Sequence, residues 1–173
     1  MASKRTSVII SILFIVFGGP GCVLGYFPYW ITGFRVPASE PVWQRVVAGL
    51  LILAGLVPLL ASIRRFITVG RGTLMPAIPT ERLVVSGLYR YVRNPMYLGV
   101  LTSLCGESLL IRTGTLVDYT LVIWLMFHLF VIAYEEPALG RQHPGDYPRY
   151  KRNVRRWLPR LTPWDDSATK SVW

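Results

Sequence analysis

Two groups of charged and aromatic side chains lie beside long apolar runs and could bind a charged small molecule. The first is the stretch GLYRYVRNPMYLG at 87–99, in which arginines and tyrosines surround Asn94 and Pro95. Asn followed by Pro is typical of a helix start, which carries unpaired N–H groups and partial positive charge. The second is the acidic pair Glu135 and Glu136, at the end of a later apolar run. Together the two groups predict a site for a ligand that carries both negative and positive charge.

The first group has two interpretations. In one, the Asn94 side chain caps a helix that begins at Pro95, and Arg93 strengthens the positive field there for an anionic ligand. In the other, the arginines and tyrosines are an ordinary membrane flank, with basic residues on the cytoplasmic side and an aromatic belt. Composition alone favours the membrane flank.

Two ionisable side chains inside apolar runs are the candidates for catalysis. Glu107 is a carboxyl group within a predicted membrane span, where such groups face the bundle or a cavity. His128 lies seven residues before Glu135, which predicts that both are on one helical face. Either could orient a group of a bound ligand or take a proton from it. The alternative is that both are hydrogen-bonded packing residues. No His, Cys and acidic set has metal-ligand spacing, so no metal is predicted.

The elements that must position these residues are predicted to be membrane helices. The chain has 173 residues, is 52% hydrophobic and has a mean hydropathy of +0.41, yet its net charge is +10. Its uncharged or nearly uncharged runs are close to the roughly 20 residues that cross a bilayer. We therefore expect a single all-α integral membrane domain over 1–173 with about four transmembrane helices. The predicted spans are about 8–30, 44–64, 95–111 and 114–134, followed by a C-terminal segment at 135–173.

The positions of the basic residues predict the orientation. Of the 19 lysines and arginines, Arg35, Arg45 and Arg112 alone fall in the two loops assigned to the outer side. Because basic residues stay cytoplasmic, both termini and the middle loop are predicted to be cytoplasmic, in a bacterial inner membrane. The net positive charge is then explained by the orientation of the helices and by contact with anionic membrane lipids, so no nucleic-acid partner is expected.

The two groups resemble the isoprenylcysteine carboxyl methyltransferase family and its phospholipid methyltransferase relatives, over roughly 70–160. The family pattern is Gly-x-Tyr, Arg-His-Pro, Tyr-x-Gly, Glu-Glu and a spaced pair of tyrosines. The matching residues are Gly87, Tyr89, Arg93, Asn94, Pro95, Tyr97, Gly99, Glu135, Glu136, Tyr147 and Tyr150.

The resemblance implies an integral membrane methyltransferase that uses S-adenosylmethionine. The cytoplasmic loop and C-terminal segment would form the cofactor site with the last two spans, and a lipophilic or lipid-linked small-molecule acceptor would arrive from the bilayer. By position, the resemblance predicts these cofactor-binding residues: Leu83, Val84, Tyr89, Arg93, Asn94, Pro95, Tyr97, Gly99, Glu135 and Glu136.

Two departures from the family pattern bear on the acceptor. Asn94 stands where the family usually has His, and Val131 stands where the eukaryotic prenylcysteine enzymes have an Arg that meets the substrate carboxylate. The resemblance implies methyl transfer to a lipophilic acceptor in the manner of the isoprenylcysteine carboxyl methyltransferases. The first alternative is phosphatidylethanolamine-type N-methylation, in which Glu107 or His128 could orient or deprotonate the amine. The remaining alternatives are an NADPH-dependent sterol-type reductase, which shares the tyrosine-rich C-terminal pattern, and a non-enzymatic scaffold that binds anionic lipid.

Overall fold

The computed structural model describes residues 19–38, 41–68 and 83–165, and within these ranges the chain is helical without strands. The elements are a π turn at Cys22–Tyr26, α1 (Phe27–Thr32), α2 (Val42–Thr68), a 3-10 helix at Gly87–Arg90, α3 (Pro95–Ile111), α4 (Gly114–Phe130), a π turn at Val131–Glu135, α5 (Glu136–Gln142) and α6 (Asp146–Asn153). Residues 8–18 of the first predicted span and the middle-loop residues 69–82 lie outside the described residues. The all-α prediction is confirmed for the described part of the chain.

Two of the described helices are long and apolar enough to cross a membrane. They are Val42–Arg65, with a mean hydropathy of 2.6, and Gly114–Gln142, with a mean hydropathy of 2.0. Their outer faces carry exposed apolar side chains such as Val57, which is 67% exposed, and Leu121, which is 60% exposed. Faces of this kind are suited to contact with lipid. Pro95–Ile111 is apolar but shorter, with 17 residues.

The last long helix continues beyond residue 134, where the fourth span is predicted to end. The backbone instead stays helical through α4, the π turn and α5 to Gln142. Within the π turn the Glu136 amide donates to the carbonyl of Val131, five residues back. The π turn ends two residues before Pro137, whose ring removes a backbone donor. A local change of hydrogen-bond register therefore lets the helix continue past Glu135 and Glu136.

Helices α2 and α3 pack backbone to backbone at two glycines. A Cβ atom added to Gly99 would lie 2.6 Å from the carbonyl oxygen of Gly55, and one added to Gly55 would overlap Ser103 and the Gly99 carbonyl. Small residues allow this approach between membrane helices. Next to this contact, the core that joins α2, α3 and α4 consists of Leu59, Ile63, Val100, Leu104 and Ile123.

The residues that follow α6 return to the start of α3. We call 154–165 the C-terminal strap. The Arg93 amide donates to the Arg155 carbonyl at 3.0 Å, and the Arg160 amide donates to the Tyr91 carbonyl at 2.9 Å. These bonds hold the strap against the segment that precedes Pro95, so the strap helps to build the site.

Candidate functional site

The centre of the site is a hydrogen bond between Tyr97 and Glu135. The phenol of Tyr97 donates to Oε2 of Glu135 at 3.0 Å, and both side chains are half-buried. Tyr97 lies in the first turn of α3, and Glu135 closes the π turn of the long helix. The two sequence groups that predicted the site therefore meet at the Pro95 end of the bundle.

Two aromatic rings lie beside Tyr97 of this carboxylate–phenol pair. The ring centroid of Tyr97 lies 4.6 Å from that of Phe127 on α4 and 6.4 Å from that of Trp157 on the strap. Such rings offer an apolar wall whose faces attract cations. The arrangement combines one carboxylate with several ring faces, as a cationic methylated group would require.

His128 belongs to the same cluster through the strap. Trp157 Nε1 donates to His128 Nδ1 at 3.1 Å, and the His128 ring stacks on Trp124 with centroids 5.4 Å apart. The predicted common face of His128 and Glu135 is altered, because the π turn between them breaks the α-helical register. Trp157, rather than helical spacing, connects His128 with the Tyr97–Glu135 pair.

Glu136 has a different environment from its neighbour Glu135. Its carboxylate is 7% exposed and meets Arg93 at 3.0 Å, Lys151 at 2.8 Å and Arg156 at 2.6 Å. A buried carboxylate requires such compensation by cations. Of the two acids, Glu136 therefore ties α5 to α6 and the strap, while Glu135 faces the aromatic cluster.

Arg93 is largely engaged by the protein as well. Its guanidinium pairs with Glu136 and donates to the hydroxyl of Tyr147 at 3.3 Å, while its buried Nε has no hydrogen-bond partner among the described residues. The Nε–H group is the part of Arg93 that a ligand can still use. Burial and the nearby Glu136 carboxylate raise the pKa of Tyr147 to about 12, so this phenol is protonated at neutral pH.

The predicted capping role of Asn94 is wrong. Asn94 does occupy the position before α3, and its carbonyl accepts from the Leu98 amide, but its side chain makes no capping hydrogen bond. The side-chain amide instead donates to the carbonyl of Arg156 at 3.2 Å. Asn94 is buried under the strap, where its side-chain amide needs a hydrogen-bond partner, and the Arg156 carbonyl is the acceptor that lies within reach.

Tyr89 is buried beside the site. Its phenol lies near Ser62 and Glu135, and burial raises its pKa well above the usual value for tyrosine. Its carbonyl accepts a hydrogen bond from the hydroxyl of Tyr150 at 2.7 Å. Tyr89 therefore joins α2, the 3-10 helix and α6.

The other predicted cofactor residues lie around this centre. Val84 and Pro95 are buried, and Leu83 packs on the cluster of Tyr147 and Tyr150. Gly99 faces α2, where its role is close helix packing.

The structure separates Glu107 from the rest of the candidate site. Glu107 is ten positions after Tyr97 on α3, which corresponds to about 15 Å along the helix axis. It lies near Tyr119, and its Oε2 is buried without a hydrogen-bond partner among the described residues. Of the two catalytic candidates, His128 alone lies in the aromatic cluster.

Sequence reasoning missed three strap and α6 residues that complete the site. These are Lys151, Arg156 and Trp157. They follow α5 in a strongly basic segment, whose charge we predicted to determine topology and lipid contact. The one available signal was the single tryptophan within the basic run RNVRRWLPR.

Comparison with known families identifies the chain. The model of the phospholipid methyltransferase family, PEMT, matches residues 43–144, which is more than half of the chain. The chain belongs to the phospholipid methyltransferase family. The matched range includes Tyr97, His128 and Glu135 and ends shortly after α5, before α6 and the strap. No curated protein and no solved structure shows significant similarity to the chain.

Family membership confirms the predicted resemblance and supports a membrane-associated methyltransferase with lipid substrates. The apolar helices Val42–Arg65 and Gly114–Gln142 agree with a membrane location.

Proposed function

We propose that the protein transfers a methyl group from S-adenosylmethionine to a lipid acceptor at the cytoplasmic face of the membrane. The observation that carries the proposal is the Tyr97–Glu135 hydrogen bond of 3.0 Å within an aromatic cluster. Membership of the phospholipid methyltransferase family supports the reaction class.

The chemistry of the side chains fits such a cofactor. S-adenosylmethionine carries an ammonium and a sulfonium as well as a carboxylate and an adenine ring. Glu135 is a carboxylate whose described hydrogen bond comes from a neutral phenol, which leaves it able to accept from an ammonium or a hydroxyl group. Arg93 Nε–H is a donor available for a carboxylate. The rings of Tyr97, Phe127 and Trp157 offer faces for adenine or for a cation.

When bound, S-adenosylmethionine supplies a methyl group on a positively charged sulfur, which makes the transfer favourable without further activation of that group. The protein therefore acts mainly by orientation and by exclusion of water. Tyr97 holds the carboxylate of Glu135 in place, and the aromatic cluster keeps water from the reacting centre. The remaining predicted contacts, Leu83, Val84, Tyr89, Asn94 and Pro95, would shape the rest of the pocket.

For the acceptor, we infer a phospholipid headgroup in preference to a prenylcysteine. The family match favours phospholipid, and Val131 provides no cation in the place where the prenylcysteine enzymes have an Arg. The basic residues beside the site at the Pro95 end, such as Arg90 and Lys151, suit a cytoplasmic surface with anionic lipid.

The proposal is tested by isothermal titration of the detergent-solubilised protein with S-adenosylhomocysteine, the demethylated cofactor. Saturable binding that is weakened by Glu135→Ala is the expected result. Glu107→Gln provides the matched control, because Glu107 is also a carboxylate within the bundle but lies away from the site. Absence of binding by the unaltered protein would overturn the proposal.

A further inference from the structure

We propose that Trp157 fixes His128 as a hydrogen-bond donor, so that His128 binds an anionic oxygen of the lipid acceptor and does not remove its proton. This inference rests on the proposed function for the identity of the acceptor. It assigns an acceptor-binding role to His128 and a positioning role to a strap residue outside the family match.

The direction of the Trp157–His128 hydrogen bond determines where the imidazole proton lies. Trp157 Nε1 is 3.1 Å from His128 Nδ1. An indole N–H is a donor without acceptor capacity, so Nδ1 must offer its lone pair. A neutral imidazole that accepts at Nδ1 carries its proton at Nε2. The tautomer of His128 is therefore set by the strap.

The same contacts fix the orientation of the imidazole ring. His128 stacks on Trp124 with ring centroids 5.4 Å apart and an interplanar angle of 19°. Its centroid is 6.1 Å from that of Trp157, which itself lies 6.4 Å from that of Tyr97. Two tryptophans thus hold the ring beside the Tyr97–Glu135 pair.

The free edge of the ring is Nε2–H. The described residues supply no hydrogen-bond partner for Nε2, and His128 is half-buried on the helix that also carries Glu135. In this state Nε2–H donates a hydrogen bond, and the in-plane lone pair of the ring, on Nδ1, is occupied by the Trp157 N–H. It suits a phosphate oxygen of a phospholipid or the carboxylate of a lipidated cysteine. The alternative that His128 deprotonates an amine acceptor requires Trp157 to leave Nδ1 first.

Nitrogen NMR of the full-length protein in detergent tests the tautomer without any ligand. The chain contains two histidines, His128 and His143, so His143→Gln assigns the His128 signals. We expect an unprotonated Nδ1 and a protonated Nε2 at neutral pH, and a mixture of tautomers in Trp157→Phe. The control is Trp164→Phe, which changes a strap tryptophan that packs on Tyr150. A proton on Nδ1, or spectra of Trp157→Phe identical to those of the unaltered protein, would overturn the inference.

Kinetics with defined acceptors test the binding role. Phosphatidylethanolamine and farnesylcysteine, each in detergent micelles, present the phosphate and the carboxylate. Trp157→Phe removes the hydrogen bond that orients His128, so His128 no longer donates an ordered hydrogen bond to the acceptor. We therefore expect KM to rise by about fivefold for whichever of the two acceptors the enzyme methylates, with a smaller change in kcat. His128→Gln, whose amide N–H reaches towards the Nε2 position, should retain more kcat/KM than His128→Asn.

A kcat loss without a KM change in Trp157→Phe, or equal losses in His128→Gln and His128→Asn, would contradict the donor role. Failure of the proposed function looks different, because the unaltered protein would then bind no S-adenosylhomocysteine while the histidine tautomer stayed as described.

Discussion

The phenol of Tyr97 donates a 3.0 Å hydrogen bond to Glu135, and this bond joins the first turn of α3 to the π turn of the long helix. The two residues are 38 positions apart in the chain. Their contact turns two separate sequence groups into one site with a carboxylate, a phenol and aromatic walls.

Glu135→Ala is expected to weaken S-adenosylhomocysteine binding by about tenfold to a hundredfold, because a charged hydrogen bond contributes about 1.5–3 kcal/mol. Tyr97→Phe should cause a smaller loss, since it keeps the ring and removes the hydroxyl that orients Glu135. Isothermal titration measures both. Glu107→Gln is the control and should bind S-adenosylhomocysteine as the unaltered protein does. The pocket assignment would be refuted if Glu135→Ala and Tyr97→Phe also bound it with unaltered affinity.

Glu136→Ala is expected to destabilise the protein rather than act on the cofactor directly. The change leaves Arg93, whose side chain is 9% exposed, without its carboxylate partner, which costs about 3 kcal/mol. In a chain of this size that loss lowers Tm by about 6–12 °C. Thermal unfolding followed by tryptophan fluorescence measures it. Asp146→Ala removes an exposed acid from α6 and is the matched control; a Tm as low in that variant would contradict the specific role of Glu136.

Asn94→Asp should loosen the strap. The amide of Asn94 donates to the Arg156 carbonyl at 3.2 Å, and a carboxylate in its place would face that carbonyl without a donor. Hydrogen exchange of the strap amides, read by mass spectrometry, is expected to accelerate by about fivefold to tenfold, as a loss of roughly 1 kcal/mol implies. Asn153→Asp changes an exposed asparagine on α6 and should leave strap exchange as it is. Unchanged exchange in Asn94→Asp would show that the bond does not hold the strap.

Gly55→Ala is expected to disrupt the packing of α2 on α3. The added Cβ would overlap the carbonyl of Gly99, so backbone has to move, at a cost of about 1–3 kcal/mol or more. Gly49→Ala is the control on the same helix, because a Cβ there meets nothing within 4 Å. Thermal unfolding of both variants distinguishes the outcomes, and a Gly55→Ala protein as stable as Gly49→Ala would contradict the close contact.

Local sequence signals predicted part of this structure. The prediction that α3 begins at Pro95 is confirmed. This feature is local, because the fixed backbone angle of Pro favours the first position of a helix. The all-α prediction is confirmed for the described residues. It succeeded because an apolar run long enough to cross a bilayer indicates a helix without reference to the rest of the chain.

Other features depend on contacts between distant parts of the chain. The direction of the Asn94 side chain was predicted wrongly, because it is set by Arg156, 62 positions away. The continuation of the last helix depends on the π turn before Pro137, and helical periodicity gives no signal for an inserted π turn. Trp157 reaches His128 across 29 positions, so composition could not reveal the contact.

The most direct test of the central claim is the transfer of labelled methyl groups from S-adenosylmethionine in membranes that contain the protein. Our account predicts label in the lipid fraction with the unaltered protein and with Glu107→Gln, and a loss of at least about tenfold with Glu135→Ala. Label that never enters lipid, or that enters equally with Glu135→Ala, would contradict it.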